Sequence, residues 1–142
     1  MRTLIKGARV LDPGRIDGYK NILISGQTIE SVLEPSDPVP GNEADLRIVD
    51  AGGRVLVPGL MDIHVHLREP GHEYKETIAT GATAAARGGF TAVCAMPNTV
   101  PVNDNAQVTT FILEKARAAK GARVYPVGAV TRGSAGIQMA EI

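Results

Sequence analysis

Two histidines separated by one residue are the side chains of this sequence best suited to chemistry. His64 and His66 lie in the run DIHVHLR, residues 62–68. Because successive side chains of a strand point to opposite faces, a strand here would place Asp62, His64, His66 and Arg68 on one side and the apolar residues between them on the other. Imidazole is a common zinc ligand, and two such rings on one strand can converge on a single metal. The spacing is compatible with a metal site but does not by itself decide for one.

The neighbours of the histidines bear on this hypothesis. Asp62 is either a third ligand or, as we favour, a hydrogen-bond acceptor that fixes a histidine tautomer. Arg68 carries a planar fork of donors that suits a carboxylate. A His-x-His pair alone also occurs on surface strands and in cores without binding metal. A position at the C-terminal end of a parallel strand, where barrel enzymes hold their active sites, favours the metal.

The chain from residue 58 onwards alternates between strand and helix patterns. A loop after the second strand contains the run MPNT, and Asp104 with Gln107 resembles a capping box for the second helix. Such alternation predicts a parallel sheet with right-handed crossovers. In chain order the predicted elements are strand Leu60–Leu67, helix Glu73–Arg87, strand Phe90–Met96, a helix from about 104 to 120, and strand Arg123–Val130.

The first 57 residues predict short strands separated by turns, and hence a small antiparallel β unit. Thr3–Ile5 and Ala8–Leu11 read as two brief strands before a turn at residues 12–14. Gly26-Gln27 suits the two-residue loop of a type II′ hairpin, and residues 34–45 predict an irregular loop. We therefore expect two domains, a β-rich unit over 1–57 and a second unit over 58–142.

Three stretches resemble the dihydroorotase branch of the amidohydrolase superfamily. They are PGLMDIHVHLREPG at residues 58–71, GATAAARGGFT at 81–91, and MPNT at 96–99. The resemblance implies a class I type dihydroorotase and an α/β fold. A small β-sandwich-like unit would be followed by the first two to three βα units of a TIM-type (β/α)8 metal-dependent hydrolase barrel, which is incomplete in this chain.

The same resemblance assigns roles to individual residues. It implies that His64 and His66 are ligands of one or two zinc ions and that Arg68 and Asn98 bind a substrate carboxylate. The family reaction interconverts dihydroorotate and N-carbamoyl-L-aspartate in pyrimidine biosynthesis. The family's general acid/base aspartate and further metal ligands are expected beyond residue 142, since no histidine follows His72. We expect a truncated chain that is inactive alone.

Composition limits the partners. Lys+Arg and Asp+Glu number 15 each, so no net charge attracts nucleic acid or an anionic membrane. No run reaches the roughly 20 apolar residues of a membrane helix, and the expectation is a cytoplasmic protein. The resemblance implies a small-molecule substrate, a homo-oligomer, and aspartate carbamoyltransferase as a candidate partner.

Two other functions stay open. A hydantoinase or allantoinase type of cyclic amidase would share the His-x-His pair and the fold, but Arg68 and the MPNT run favour a substrate that bears a carboxylate. A non-catalytic, dihydroorotase-like structural subunit is the third hypothesis. The retention of His64, His66, Arg68 and Asn98 together argues against it.

Overall fold

The computed structural model of the chain describes residues 1–42 and 45–142. These residues form two compact units, Met1–Pro58 and Gly59–Ile142. Part of the loop predicted over 34–45, at Glu43 and Ala44, lies outside the described residues. Each unit is described by itself below.

The first unit is a five-stranded mixed sheet. Its strands are β1 (Arg2–Asp12), β2 (Ile16–Ser25), β3 (Thr28–Leu33), β4 (Leu46–Asp50) and β5 (Val55–Leu56). The order is β3-β2-β1-β4, and β5 also pairs with β1. β1 runs antiparallel to β2 but parallel to both β4 and β5. The predicted antiparallel unit is therefore wrong, because the chain returns to the start of β1 before β4 begins, and residue patterns do not encode that return.

β1 is one strand where the sequence predicted two. Ile5 pairs with Ile22 and Ala8 with Lys20, so β1 carries one extra residue between these pairs. Gly7 has a φ of 75° within this bulge. The N–H of Gly7 donates a 2.9 Å hydrogen bond to Oδ1 of the buried Asn21. The glycine bends the strand without ending it. The predicted hairpin at Gly26-Gln27 is confirmed by antiparallel pairing on either side of the loop and a φ of 60° at Gly26.

The second unit alternates strands and helices, as predicted. Its elements are β6 (Leu60–Val65), α1 (Ile78–Arg87), β7 (Phe90–Ala95), α2 (Ala106–Ala118) and β8 (Arg123–Pro126), followed by a short 3-10 helix at Arg132–Ser134. The strands form a parallel sheet in the order β6-β7-β8. In the described part of the chain, no helix combines the length and the apolar character needed to cross a membrane.

Both helices pack on one face of this parallel sheet. A buried apolar cluster joins the helices to the strands, and Val93 and Val124 belong to it. Met61 and Tyr125 lie in register with Ala92 and Cys94 on the opposite face, where they remain 50% and 45% exposed. The buried residues of this cluster are Leu67, Ile78, Ala82, Val93, Ala95, Val108, Ile112 and Val124.

The helices begin later than the sequence predicted. α1 starts at Ile78 rather than Glu73, after Thr77, which forms a reciprocal capping box with Thr80. α2 starts after Asn105, whose Oδ1 accepts from the N–H groups of Gln107 and Val108. The capping box predicted for Asp104 is wrong because its carboxylate accepts a hydrogen bond from the N–H of Gly133 instead.

Candidate metal and substrate site

A β-bulge near the end of β6 sets the direction of the histidine side chains. Asp62 pairs with Val93 and Val65 with Ala95, so Ile63 and His64 together lie opposite the single residue Cys94. Asp62 therefore shares the helix-covered face with Val65, while Ile63 is 71% exposed and His64 is exposed on the other face. The predicted alternation, with Asp62 and His64 on one side, is wrong because the bulge adds a residue to the strand.

The carboxylate of Asp62 supports the backbone rather than an imidazole. Its Oδ1 accepts a 3.0 Å hydrogen bond from the N–H of His64, which lies inside the bulge. A bulge removes a ladder partner from the strand, and the aspartate supplies one in its place. Asp62 thus holds the conformation that directs His64 away from the helices.

The two imidazoles have a geometry that fits one shared metal ion. Their ring centroids are 5.3 Å apart and their planes are inclined by 71°. Zinc–nitrogen bonds of about 2.0–2.1 Å and a roughly tetrahedral angle would place two such centroids about 5 Å apart. Both histidines are exposed and therefore accessible to an ion. Among the described residues, no group of three or more histidine, cysteine or acidic side chains is arranged to hold a metal, so this pair would need further ligands.

Asn98 lies beside the second histidine. β7 ends at Ala95, and the next residue, Met96, donates its N–H to the carbonyl of Val65 at 2.8 Å. This bond brings the loop after β7 against the end of β6. Oδ1 of Asn98 lies 2.8 Å from Nδ1 of His66. The two sequence-predicted groups are therefore in direct contact, although 32 residues separate them along the chain.

Arg68 occupies an uncommon backbone conformation directly after the histidines. Its φ is 64°, and the N–H of Glu69 donates to the carbonyl of Leu67 at 2.8 Å, which closes a γ-turn around it. β6 ends at Val65, three residues earlier than needed for Arg68 to continue the alternation. Strained turns of this kind persist only where their surroundings hold them. Leu67 and Glu69, both buried, hold this turn on either side.

Glu69 was missed by the sequence analysis. Its side chain is only 7% exposed, and its Oε2 accepts a 2.9 Å hydrogen bond from the N–H of Ile78, the first residue of α1. Its Oε1 lies 3.1 Å from Nζ of Lys115 on α2. A carboxylate at a helix N-terminus satisfies a free N–H group and interacts favourably with the helix dipole. The residue type alone, in a polar loop before proline, gave no sign of burial.

The loops that carry Arg68 and Asn98 are bonded to each other. The N–H of Val100 donates to the carbonyl of Pro70 at 2.9 Å, and Gly71 packs against Val100. Next to Asn98, the buried Thr99 donates through Oγ1 to the carbonyl of Pro101 at 2.7 Å. The backbone on both sides of the site is thus anchored, while Asn98 itself remains exposed.

Glu73 also belongs to the loop after β6. It does not lie in the first turn of α1, as the sequence analysis expected, since that turn contains no acidic residue. Its carboxylate accepts a hydrogen bond from the N–H of Gly71, and this bond lowers the pKa of Glu73 below its ordinary value. The carboxylate therefore closes the loop locally rather than interacting with the start of the helix.

Comparison with known proteins identifies the family. The family model described as dihydro-orotase-like matches residues 53–142. The chain belongs to the dihydroorotase-like family. The resemblance inferred from the three sequence stretches is thereby confirmed.

The curated relatives that this chain matches are named dihydroorotase. The dihydroorotase of Desulforapulum autotrophicum is 59% identical over 138 residues, which are 96% of this chain and 32% of the relative. The dihydroorotase of Anaeromyxobacter dehalogenans is 54% identical over 138 residues, again 96% of this chain and 31% of the relative. The chain thus spans about a third of the length of the curated relatives it matches.

Solved structures share the α/β fold of this family member. The L-hydantoinase of Arthrobacter aurescens superposes with a TM-score of 0.79 at 22% identity, covering 91% of this chain and 28% of that one. The dihydropyrimidinase of Brevibacillus agri gives a TM-score of 0.65 at 27% identity, covering 82% of this chain and 24% of the other. Both similarities show that the chain shares the fold of the matching part of these proteins.

Proposed function

We propose that this chain contributes the first strands of a zinc-dependent dihydroorotase site, which opens the ring of dihydroorotate to N-carbamoyl-L-aspartate in pyrimidine synthesis. The observation that carries the proposal is the contact between His66 and Asn98. It joins the side chain that we propose as a metal ligand to the one that we propose as a carboxylate-binding group, at the ends of adjacent parallel strands, in a chain 59% identical to a dihydroorotase. The five-stranded sheet of the first unit would be one layer of a β-sandwich, and the second unit would be the start of a (β/α)8 barrel.

His64 and His66 would hold the zinc ion through one ring nitrogen each. When bound, zinc supplies an activated water and polarises the amide carbonyl. Hydrolysis of the ring would break its C–N bond by adding the elements of water: the carbonyl carbon takes the hydroxyl and the ring nitrogen takes one proton. The carboxylic acid so formed then releases its proton to solvent and becomes a carboxylate. The remaining metal ligands and the carboxylate that moves the proton are proposed to lie in the two thirds of the relatives that this chain does not match.

Arg68 and the amide of Asn98 would bind the carboxylate that dihydroorotate carries outside the reacting bond. The guanidinium offers two parallel donors and a full charge, and the amide offers a neutral donor from the neighbouring loop. Holding the carboxylate at two points fixes which face and which bond of the ring meet the metal. This requirement separates the proposal from a hydantoinase activity, whose substrates lack that carboxylate.

The test joins this chain to the part of a relative that it does not match. A chimera carries residues 1–142 in place of the corresponding region of the Desulforapulum dihydroorotase, and ring opening is measured with dihydroorotate, hydantoin and dihydrouracil. We expect turnover of dihydroorotate. His64→Ala or His66→Ala should reduce it beyond the roughly 10–100-fold loss typical of removing a group that only supports a ligand.

His72→Ala is the matched control, since it removes the third histidine without touching the pair. It should keep activity within about twofold, because the half-buried ring of His72 contacts Tyr74 rather than the histidine pair. Arg68→Lys keeps the charge but loses the fork, and should raise KM for dihydroorotate. Equal activity of His64→Ala and His72→Ala would show that His64 is not a metal ligand. A chimera that prefers hydantoin or dihydrouracil would favour the sister cyclic amidases.

A further inference from the structure

We propose that Asn98 fixes the tautomer of His66, with the proton on Nδ1 and a bare lone pair on Nε2. The inference rests on the proposed function in one respect, namely that His66 is the residue whose free nitrogen matters. It assigns Asn98 a positioning role in addition to substrate binding. One side-chain amide would thereby serve both the metal ligand and the substrate carboxylate.

The chemistry of the two contacting atoms carries the inference. A neutral imidazole has one N–H donor and one acceptor nitrogen, and a side-chain carbonyl oxygen only accepts. At 2.8 Å, Oδ1 of Asn98 and Nδ1 of His66 are within hydrogen-bond distance. The bond forms only when Nδ1 carries the proton, because the other tautomer would oppose two lone pairs. Nε2 is then left unprotonated, as a metal ligand must be.

The loop holds Asn98 in the position that this bond requires. Two residues before it, the N–H of Met96 is bonded to the strand that carries the histidines. Directly after it, Thr99 is buried and bonded to the carbonyl of Pro101. A short exposed side chain between two anchored residues loses little further freedom when it forms the bond. The contact is thus built into the loop.

The same bond determines what Asn98 can offer to a substrate. With Oδ1 committed to His66, the group that remains is the Nδ2 amide, which only donates. A donor suits an anionic carboxylate and would repel a cationic group. A rotation of the amide by 180° would present a donor to Nδ1, protonate Nε2 and turn an acceptor to the substrate, so a single torsion would weaken both functions.

Nitrogen NMR of the metal-free chain tests the tautomer without any catalytic reaction. The chain has three histidines, and His66→Ala assigns the His66 ring resonances by their loss. At about pH 8.5, where an ordinary imidazole is neutral, we expect the Nδ1–H form to dominate in the wild type. Asn98→Ala should shift the His66 ring nitrogens towards a mixture of tautomers and leave those of His72 unchanged. Identical His66 shifts in the wild type and in Asn98→Ala would overturn the inference.

The conservative variant Asn98→Asp distinguishes the hydrogen bond that the side chain of residue 98 accepts from the one that it donates. Asn98→Asp keeps an oxygen acceptor for Nδ1 but loses the amide donor, so it should retain the wild-type tautomer while Asn98→Ala does not. In the chimera, competition with a chelator should show zinc binding about 10–100-fold weaker for Asn98→Ala and at least as tight for Asn98→Asp. A loss of the tautomer in Asn98→Asp would also contradict the inference. If zinc affinity is unaffected by His66→Ala while the tautomer still depends on Asn98, the contact stands and the metal site of the proposed function fails.

Discussion

Asn103 donates through Nδ2 to the carbonyl oxygen of Val127, the residue that follows β8, at 2.9 Å. Its Oδ1 accepts from the hydroxyl of Thr109 on α2 at 2.7 Å, and its carbonyl accepts from the N–H of Ala129. The side chain is 1% exposed. A single buried amide therefore connects the loop after β7, the second helix and the segment after the third parallel strand.

Replacing Asn103 by alanine should be among the more damaging polar substitutions in the second unit. It leaves two half-buried polar groups, the carbonyl of Val127 and the hydroxyl of Thr109, without this partner. An unsatisfied group costs about 1–3 kcal/mol, and the lower part of that range applies to half-buried ones. We expect the free energy of unfolding, from urea denaturation, to fall by about 3 kcal/mol. Asn105→Ala removes a helix cap two residues away and should cost about 1 kcal/mol. Equal losses would mean that the buried network contributes no more than an ordinary cap.

Glu69 offers a second test, of a buried carboxylate at a helix start. Glu69→Ala should lower the free energy of unfolding by about 2–3 kcal/mol, since a hydrogen bond to a charged group is lost and the N–H of Ile78 is left buried. Glu69→Gln retains an acceptor for that N–H and should cost less. Lys115→Met should cost under about 1 kcal/mol, because the lysine side chain is 50% exposed and water screens the pair. A loss in Lys115→Met as large as in Glu69→Ala would show that the ion pair, rather than the helix cap, is the important contact.

Gly71 and Gly89 allow the effect of crowding to be separated from that of backbone conformation. Both have positive φ, 98° and 88°. A Cβ at Gly71 would lie 2.3 Å from the carbonyl oxygen of Val100, whereas a Cβ at Gly89 would meet nothing within 4 Å. Gly89→Ala should therefore cost only about 1 kcal/mol, the strain of an alanine at positive φ. Gly71→Ala should cost more in thermal unfolding, and similar losses in the two variants would contradict the close approach of the loops.

Asp104 should make the second unit sensitive to acid. The hydrogen bond from the N–H of Gly133 lowers the pKa of Asp104, with a further contribution from the side chain of Asn105. A carboxyl whose pKa is lower in the folded state stabilises the fold above its unfolded pKa, and that stabilisation disappears as pH falls through the folded value. The stability difference between the wild type and Asp104→Ala should thus be constant above about pH 5 and shrink below about pH 4. A difference that grows on acidification would reverse the sign of this linkage.

Periodicity was sufficient to predict the parallel βα units, because a strand buried on one side by helices and an alanine-rich helix leave clear patterns in the sequence. The direction of β4 and β5 was not predictable in this way. Residue patterns report which side of a strand is buried, and they do not report which neighbour it pairs with or in which direction. The start of α1 was predicted five residues early and that of α2 about two, because Glu73 and Asp104 are acidic residues of the kind found at helix N-termini, yet each bonds to a loop N–H instead.

In the candidate site too, residue types could be interpreted from the sequence, whereas the backbone conformation could not. The residue types of His64, His66 and Arg68 predicted a metal site and a carboxylate site without a structure, while the prediction for Asn98 rested on the family resemblance. The bulge that separates Asp62 from His64 could not be predicted, since it depends on the pairing with β7. Nor could the γ-turn at Arg68, which depends on the burial of the two residues that flank it.

The bond between Val100 and Pro70 has a consequence for selectivity. It ties the loop of Arg68 to the loop of Asn98, so the two groups proposed to bind the carboxylate belong to one braced rim rather than to two independent arms. A ligand whose carboxylate fits this rim would lose little entropy in ordering it. A ligand with its carboxylate one bond further from the ring would fit this fixed arrangement less well. Under the proposed function, this rim would therefore select ligands by the distance between their carboxylate and their ring.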